Sequence, residues 1–325
     1  MGSDKNYLKA GITMLLIVLN TVFWFVLMLV LGILKFLLPV SVVHVYLDEG
    51  LDFTLNGWVG IVRKISALLN ICNIEVVDSE NSPWDFSHWD SQHWYIVICN
   101  HQSWADILIL QNIFWGKIPP LKFFTKKQLL YVPLLGTAMW IQDFPYVDRP
   151  SAEKLTAHPE LASRDKDNTR AACEKFGKRP TTVLNFLEGT RFTKTKHTRF
   201  NSSYKHLLNP KVGGFGILAE HLGEKVDRII DVTILYPLQA PYTLKAPYTL
   251  KAPGFVDYIA GACKTVKVEI SSVELPANLV GARFSESETL RSELKQWIHT
   301  RWQNKDNRLA VHQVQTQTLP NNVKD

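Results

Sequence analysis

The stretch from Tyr7 to Leu47 constrains this chain more than any other. "YLKAGITMLLIVLNTVFWFVLMLVLGILKFLLPVSVVHVYL" stays apolar for about thirty residues, interrupted within by Asn20 and Lys35. A helix of ~20 apolar residues is enough to cross a bilayer. The run is too long for the core of a signal peptide, and no A-x-A-type cleavage site follows, so it is expected to stay in the mature protein. Lys35, near one end, can snorkel to the headgroups. Lys5 and Lys9 favour a cytoplasmic N-terminus. Two arrangements fit. In one, Pro39 breaks the first helix and "VSVVHVYLDEGLDFTLNGWVGIVRKISALLN" returns along the interface, a membrane-embedded hairpin with both flanks on one side. In the other, a single tilted span is followed by a water-soluble helix.

The remaining length suffices for a sizeable core; the 325 residues suit one large domain, or one domain plus an appendage. The net charge of +6 suits an anionic partner such as a phosphate group or a lipid surface. Nucleic-acid binders usually show a concentrated basic stripe, and this chain has only a short one, so no nucleic-acid partner is expected. Cys72, Cys99, Cys173 and Cys263 are scattered, without metal-ligand spacing or disulfide density. They read as reduced thiols on the cytoplasmic side, and no metal is expected.

Buried-looking strands ("CNIEVVDS", "HWYIVICN", "TTVLNFLEGTR", "RIIDVTILYP", "KTVKVEISSVEL") alternate with helical patterns ("WADILILQNIF", "DNTRAACEKFGKRP", "VGGFGILAEHLG", "SESETLRSELKQWIHTRWQ"). In "LKFFTKKQLLYVPLLGTAMW" a strand and a short helix ended by Pro133 and Gly136 are expected. The pattern is that of an α/β fold with a largely parallel sheet flanked by helices. It divides the chain into membrane-associated helices over 1–72, a catalytic domain over 73–308 with its motifs in 90–240, and a flexible tail over 309–325. The tandem "APYTLK" of residues 240–251 is too short to make a repeat fold and reads as an exposed loop.

In "YIVICNHQSWADILIL" a strand stops at Asn100-His101, and Ser103 and Asp106 open the next helix. Ser103-x-x-Asp106 resembles a capping box, which makes Asp106 structural on one reading. On the other, His101 sits in the strand-to-helix loop and Asp106 folds back to fix its tautomer, leaving the second ring nitrogen as a base. No G-x-S-x-G elbow supplies a nucleophile, so such a base would act on a hydroxyl carried by a substrate. "NFLEGTRFTKTKHTR" places Glu188, Gly189, Thr190 and Arg191 after another buried strand, with Lys194, Lys196, His197 and Arg199 adding positive potential.

These blocks resemble those of the lysophosphatidic acid acyltransferase (glycerolipid acyltransferase, PlsC-like) family. Asn100–Asp106 looks like its NHxSxxD block, Asp143–Arg149 like its second, Phe186–Arg191 like its FxEGTR block, and Leu235-Tyr236-Pro237 like its fourth. They come in the family's order, and the flavour of "CNHQSWADI" is similar to a bacterial inner-membrane branch. The resemblance implies catalysis by His101 and Asp106, with Arg149, Glu188, Gly189, Thr190 and Arg191 binding substrate and Lys126 as a further phosphate contact. Backbone amides near Glu188-Gly189 are candidates for stabilising an oxyanion. The implied partners are acyl-CoA or acyl carrier protein, a lysophospholipid acceptor and the membrane bilayer, with no cofactor. The implied place is the inner membrane, with the catalytic domain facing the cytoplasm. Tyr236 departs from the family pattern, standing where a small aliphatic residue is common, and bears on acyl or acceptor preference. A different lysophospholipid acceptor, such as lysocardiolipin, and a non-catalytic lipid-binding protein remain as alternatives.

Overall fold

The computed structural model describes residues 6–38, 40–78, 89–147, 160–239, 249–250 and 252–318. Pro39, Arg149 and most of the APYTLK repeat lie outside the described residues.

The apolar run forms α1 (Tyr7–Leu37), whose first turn is capped by Asn6 accepting from the Lys9 amide at 2.8 Å. The chain then returns as α2 (Ser41–Leu68), which buries Leu51, Leu55, Val59 and Ile65 along one stripe. The two helices pack antiparallel. Asn20 donates to the Trp58 carbonyl at 3.1 Å, and the Trp58 indole donates to Thr21 at 3.0 Å. Gly57 is required at the crossing, because a Cβ there would stand 2.2 Å from the Trp24 ring. The two helices thus form a helical hairpin.

A helix of 31 residues is roughly 46 Å long, and α1 touches the rest of the protein at both ends. Near its start Lys9 donates to the Asn70 carbonyl at 2.9 Å and Thr13 to that of Ile259 at 3.3 Å. Near its end Lys35 pairs with Asp48 at 2.7 Å and Asp143 at 3.2 Å. The helix therefore lies along the domain rather than projecting from it. Its outer face stays uncovered, with Leu15 58%, Phe23 63% and Phe36 83% exposed.

Beyond the hairpin the strands of the main sheet are β1 (Asn73–Asp78), β2 (Trp94–Cys99), β3 (Leu121–Phe123), β4 (Thr182–Phe186), β5 (Val226–Leu235) and β6 (Thr265–Val273). They form one sheet in the order β1-β6-β5-β2-β4-β3. Only the β6–β5 pairing is antiparallel. The sheet is thus largely parallel, as the alternation of elements implied. β2, in the middle, is buried on both faces. Tyr95, Val97 and Cys99 point to a core shared with α3 (Ala105–Phe114) and α8 (Phe255–Ile259). Ile96 and Ile98 point to the opposite core, shared with α5 (Glu160–Phe176), α7 (Val212–Leu222) and α9 (Glu288–Thr318). Two short helices, α4 (Leu135–Ile141) and α6 (Lys194–Arg199), complete the set among the described residues.

The short helix expected before Pro133 is a 3-10 turn, Lys127–Tyr131, and Gly136 opens the next helix, α4, packed so that a Cβ would meet the Leu130 carbonyl oxygen at 2.1 Å; one further expectation is corrected. The C-terminal helix does not fray after residue 308 but runs to Thr318. Its charged residues hold it down. Lys305 is fully buried and donates to Asp231 at 2.6 Å and Thr233 at 3.1 Å, while Asp306 accepts from the amides of Lys205 and His206. Read along the sequence, Lys305-Asp306 looks like a solvated face.

Candidate active site

The register of three parallel strands assembles the site. Cys99, the last residue of β2, lies opposite Phe186 of β4 on one side and Val232 of β5 on the other. The loops after β2 and β4 therefore emerge together, at the carboxyl ends of the strands, where open α/β sheets bind ligands. β5 runs on past them. Asn100 closes the gap with its side chain, donating to the Ile234 carbonyl at 3.1 Å and accepting from the Ile234 amide at 2.8 Å. The amide group stands in for one more rung of backbone.

His101 follows with its backbone held from both sides. Its N–H donates to Glu188 Oε1 at 2.7 Å, and its carbonyl accepts from the Phe192 amide at 2.7 Å. Its ring stacks on Phe186, with centroids 3.9 Å apart and 15° between planes. Nδ1 lies 2.8 Å from Asp106 Oδ2. Asp106 is fully buried in the first turn of α3. Its Oδ2 also accepts from the amides of Gln102 at 2.7 Å and Ser103 at 2.9 Å, and its Oδ1 accepts from the Tyr236 hydroxyl at 2.5 Å. Ser103 Oγ accepts from the Ala105 amide at 3.0 Å and donates to the Pro253 carbonyl at 2.5 Å. Capping the turn and holding the imidazole are thus not alternatives: one carboxylate does both. With Nδ1 facing a carboxylate, that nitrogen carries the proton and Nε2 presents a lone pair. The histidine side chain is 14% exposed.

Glu188 is placed differently from the expectation of a substrate-facing carboxylate. It is 1% exposed, and both oxygens are taken, by the His101 amide and by the Leu208 amide at 2.9 Å. Burial pushes its carboxyl up to about 8, against the pull of those two amides. Gly189 sits at φ 66°, and its amide donates to the Phe186 carbonyl at 2.9 Å. That amide is committed to the turn and is not available to an oxyanion. The close approach that needs a glycine is to the Lys211 stem, 2.9 Å from where a Cβ would stand.

The positive groups lie beside this core. Lys196, from α6, donates to Thr190 Oγ1 at 2.7 Å and to the Arg191 carbonyl at 2.9 Å. The Arg191 guanidinium lies over the Trp104 ring, 4.8 Å from its centroid. Partial burial, and then the charges of Arg191 and Lys126, lower the pKa of Lys196. The three cations therefore share one field, with Lys126 exposed. Thr125-Lys126 pairs with Tyr146-Val147 in a short parallel ladder, so the segment that leads to Arg149 departs from beside Lys126. His197, by contrast, is tied to the Tyr204 carbonyl at 2.6 Å. No group of three or more His, Cys, Asp or Glu able to hold a metal occurs among the described residues.

Three contributors escaped the sequence reading: the Asn100 clamp, the Phe186 stack and the Tyr236 bond to Asp106. Only Tyr236 left a signal, as an unexpected aromatic residue in the fourth block.

The described residues thus carry a histidine–carboxylate pair at the carboxyl ends of the parallel strands. A family model described as Acyltransferase matches residues 73–234, and the chain belongs to that family. Mouse lysocardiolipin acyltransferase 1 is 25% identical over 226 residues, 66% of this chain and 53% of that protein. The 1-acyl-sn-glycerol-3-phosphate acyltransferase 2 of Arabidopsis thaliana is 24% identical over 159 residues, 45% of this chain and 38% of that protein. The chain thus spans about half the length, or less, of these curated relatives. Among solved structures, the 1-acyl-sn-glycerophosphate acyltransferase PlsC of Thermotoga maritima shares the fold, with a TM-score of 0.52 and 17% identity over 95% of this chain and 98% of that one.

Proposed function

We propose that the protein transfers a fatty acyl group from a thioester, acyl-CoA or acyl carrier protein, to the free hydroxyl of 1-acyl-glycerol-3-phosphate, forming phosphatidic acid. The observation that carries this reading is His101, with Nδ1 bonded to a fully buried carboxylate while the side chain stays 14% exposed. The acceptor hydroxyl gives its proton to Nε2 as its oxygen attacks the thioester carbonyl. Asp106 stabilises the imidazolium that forms. When the tetrahedral intermediate collapses, the C–S bond breaks and the thiolate takes the proton back from His101. No acyl-enzyme forms. Glu188 acts behind the histidine, holding its backbone, rather than on substrate.

The field of Lys126, Arg191 and Lys196 supports a phosphate-bearing acceptor, and the resemblance adds Arg149 to them. The uncovered apolar face of α1 supports a membrane position. The hairpin lies in one leaflet, with the 73–308 domain on the cytoplasmic side of the inner membrane, so that the site opens where acyl-bearing substrates lie. A lysocardiolipin acceptor is the second reading, favoured by the mouse relative. It meets the same cations with a larger headgroup.

The test is mass spectrometry of the lipids formed by the purified protein from defined acyl-CoA and acyl carrier protein donors and a mixture of lysolipids. Phosphatidic acid is expected, and it is lost in His101→Ala. Acylation of lysocardiolipin alone replaces the acceptor. Thiol release with no acylated lipid refutes the transfer reaction.

A further inference from the structure

Asp106 accepts four hydrogen bonds, and one of them comes from a side chain at the far end of another strand. Tyr236 follows β5, is fully buried, and donates its hydroxyl to Asp106 Oδ1 at 2.5 Å. The placement follows from the register. Val232 lies opposite Cys99, so Ile234 to Tyr236 continue beside Asn100 to Asp106. The two Asn100–Ile234 bonds lock that alignment two residues from the tyrosine. Oδ2 is left to His101 and the Gln102 and Ser103 amides, so the carboxylate cannot rotate without breaking a bond on one side or the other.

We propose that Tyr236 is a positioning residue for acyl transfer: its hydroxyl aims the Asp106 carboxylate at His101 and moderates how strongly that carboxylate holds the imidazolium. The proposal rests on His101 acting as the base. A tyrosine in this fourth block thereby serves the chemistry rather than the choice of acyl chain or acceptor. Burial, and then the Asp106 charge, push its phenol well above the usual range, so it remains a donor wherever the enzyme works. Drawing charge from Oδ1 lowers the basicity that Asp106 confers on His101. Removing the donor has the opposite effect, and the imidazolium persists to higher pH.

Other ionisable groups face this pair. Glu188 lies across the β4 loop, Cys99 at the end of β2, and Lys305 on α9. Tyr258 and Cys263 approach from the α8 side, and His312 bonds to the Tyr236 backbone. All are common to wild type and variant, so a difference between the two profiles reports the phenol.

The experiment is steady-state kinetics against pH on the full chain in detergent–lipid micelles, for wild type, Tyr236→Phe, and protein carrying 3-fluorotyrosine at position 236. Tyr236→Phe is expected to lower kcat by about tenfold to a hundredfold, the size of a lost hydrogen bond to a charged group. Both KM values should stay within about twofold, and the acid limb should move to higher pH. The fluorinated phenol keeps the ring and its packing but is a stronger donor, so its acid limb should move to lower pH. It also decides the matter if Tyr236→Phe does not fold. Unmoved limbs with unchanged kcat overturn the proposal, as does a loss confined to KM. His101→Ala separates the two levels. If it retains turnover, the base reading itself fails; if it is inactive while both Tyr236 proteins behave as wild type, only the role of Tyr236 fails.

Discussion

Glu188→Gln changes one atom type at constant volume. Both carboxylate oxygens now accept backbone amides, from His101 at 2.7 Å and Leu208 at 2.9 Å, in a site 1% exposed. A glutamine has one acceptor oxygen. Whichever way its amide turns, its nitrogen meets an N–H, donor against donor, with no water to intervene. A buried donor left unsatisfied costs about 1–3 kcal/mol. A loss of that size is expected, or roughly 2–12 °C in Tm for a domain of this size. Activity should fall through kcat, because the His101 backbone loses one of its two clamps, while KM for the acceptor stays level.

The pH dependence has a definite sign. Burial raises the Glu188 carboxyl from an ordinary 4.5 to about 8. Across that window the folded state holds a proton that the unfolded chain releases. The contribution is complete below about 4.5 and is lost as pH climbs through about 8. Glutamine has no such titration, so the Tm gap between wild type and variant should narrow from pH 5 to pH 8. Differential scanning fluorimetry and acyl-transfer kinetics on the same samples decide it. A variant with wild-type Tm and a raised acceptor KM would falsify the brace and return Glu188 to substrate binding.

Three further outcomes follow from the same geometry. Arg191→Ala and Lys196→Ala should raise the KM for a phosphate-bearing lysolipid about tenfold to a hundredfold, and much less for an uncharged monoacylglycerol; equal losses on both would remove the phosphate field from the account. Leu19→Asp with Phe23→Asp, on the face of α1 where those residues are 57% and 63% exposed, should reduce flotation with anionic vesicles while leaving Tm in detergent unchanged; undiminished flotation would move the lipid contact elsewhere. Lys305→Ala strands the Asp231 carboxylate, 3% exposed, without its cation and should cost about 3–5 kcal/mol in urea unfolding, against near-neutral substitutions at exposed lysines such as Lys194.

The sequence alone determined the features that local chemistry enforces. An apolar run of some thirty residues can hardly be anything but a long helix, and strands buried on both faces announce themselves as continuous β-branched and aromatic segments. The His101–Asp106 pair was legible because the residues lie five apart, close enough for a loop and one helical turn to bring them together. That α1 and α2 fold back on each other and on the domain depends on Lys35 finding Asp48 and Asp143, partners 13 and 108 positions away. Glu188 read as a ligand-facing acid because a carboxylate beside a glycine and an arginine looks exposed; that it is buried depends on the β2–β4 register, which sets His101 over it. Tyr236 reaches Asp106 across 130 residues, and Lys305 reaches Asp231 across 74. No pattern in the chain encodes such distances. Charged and hydroxyl groups look alike in sequence whether solvated or buried, and only the packing of strands and helices against one another decides which of them meets a partner in place of water.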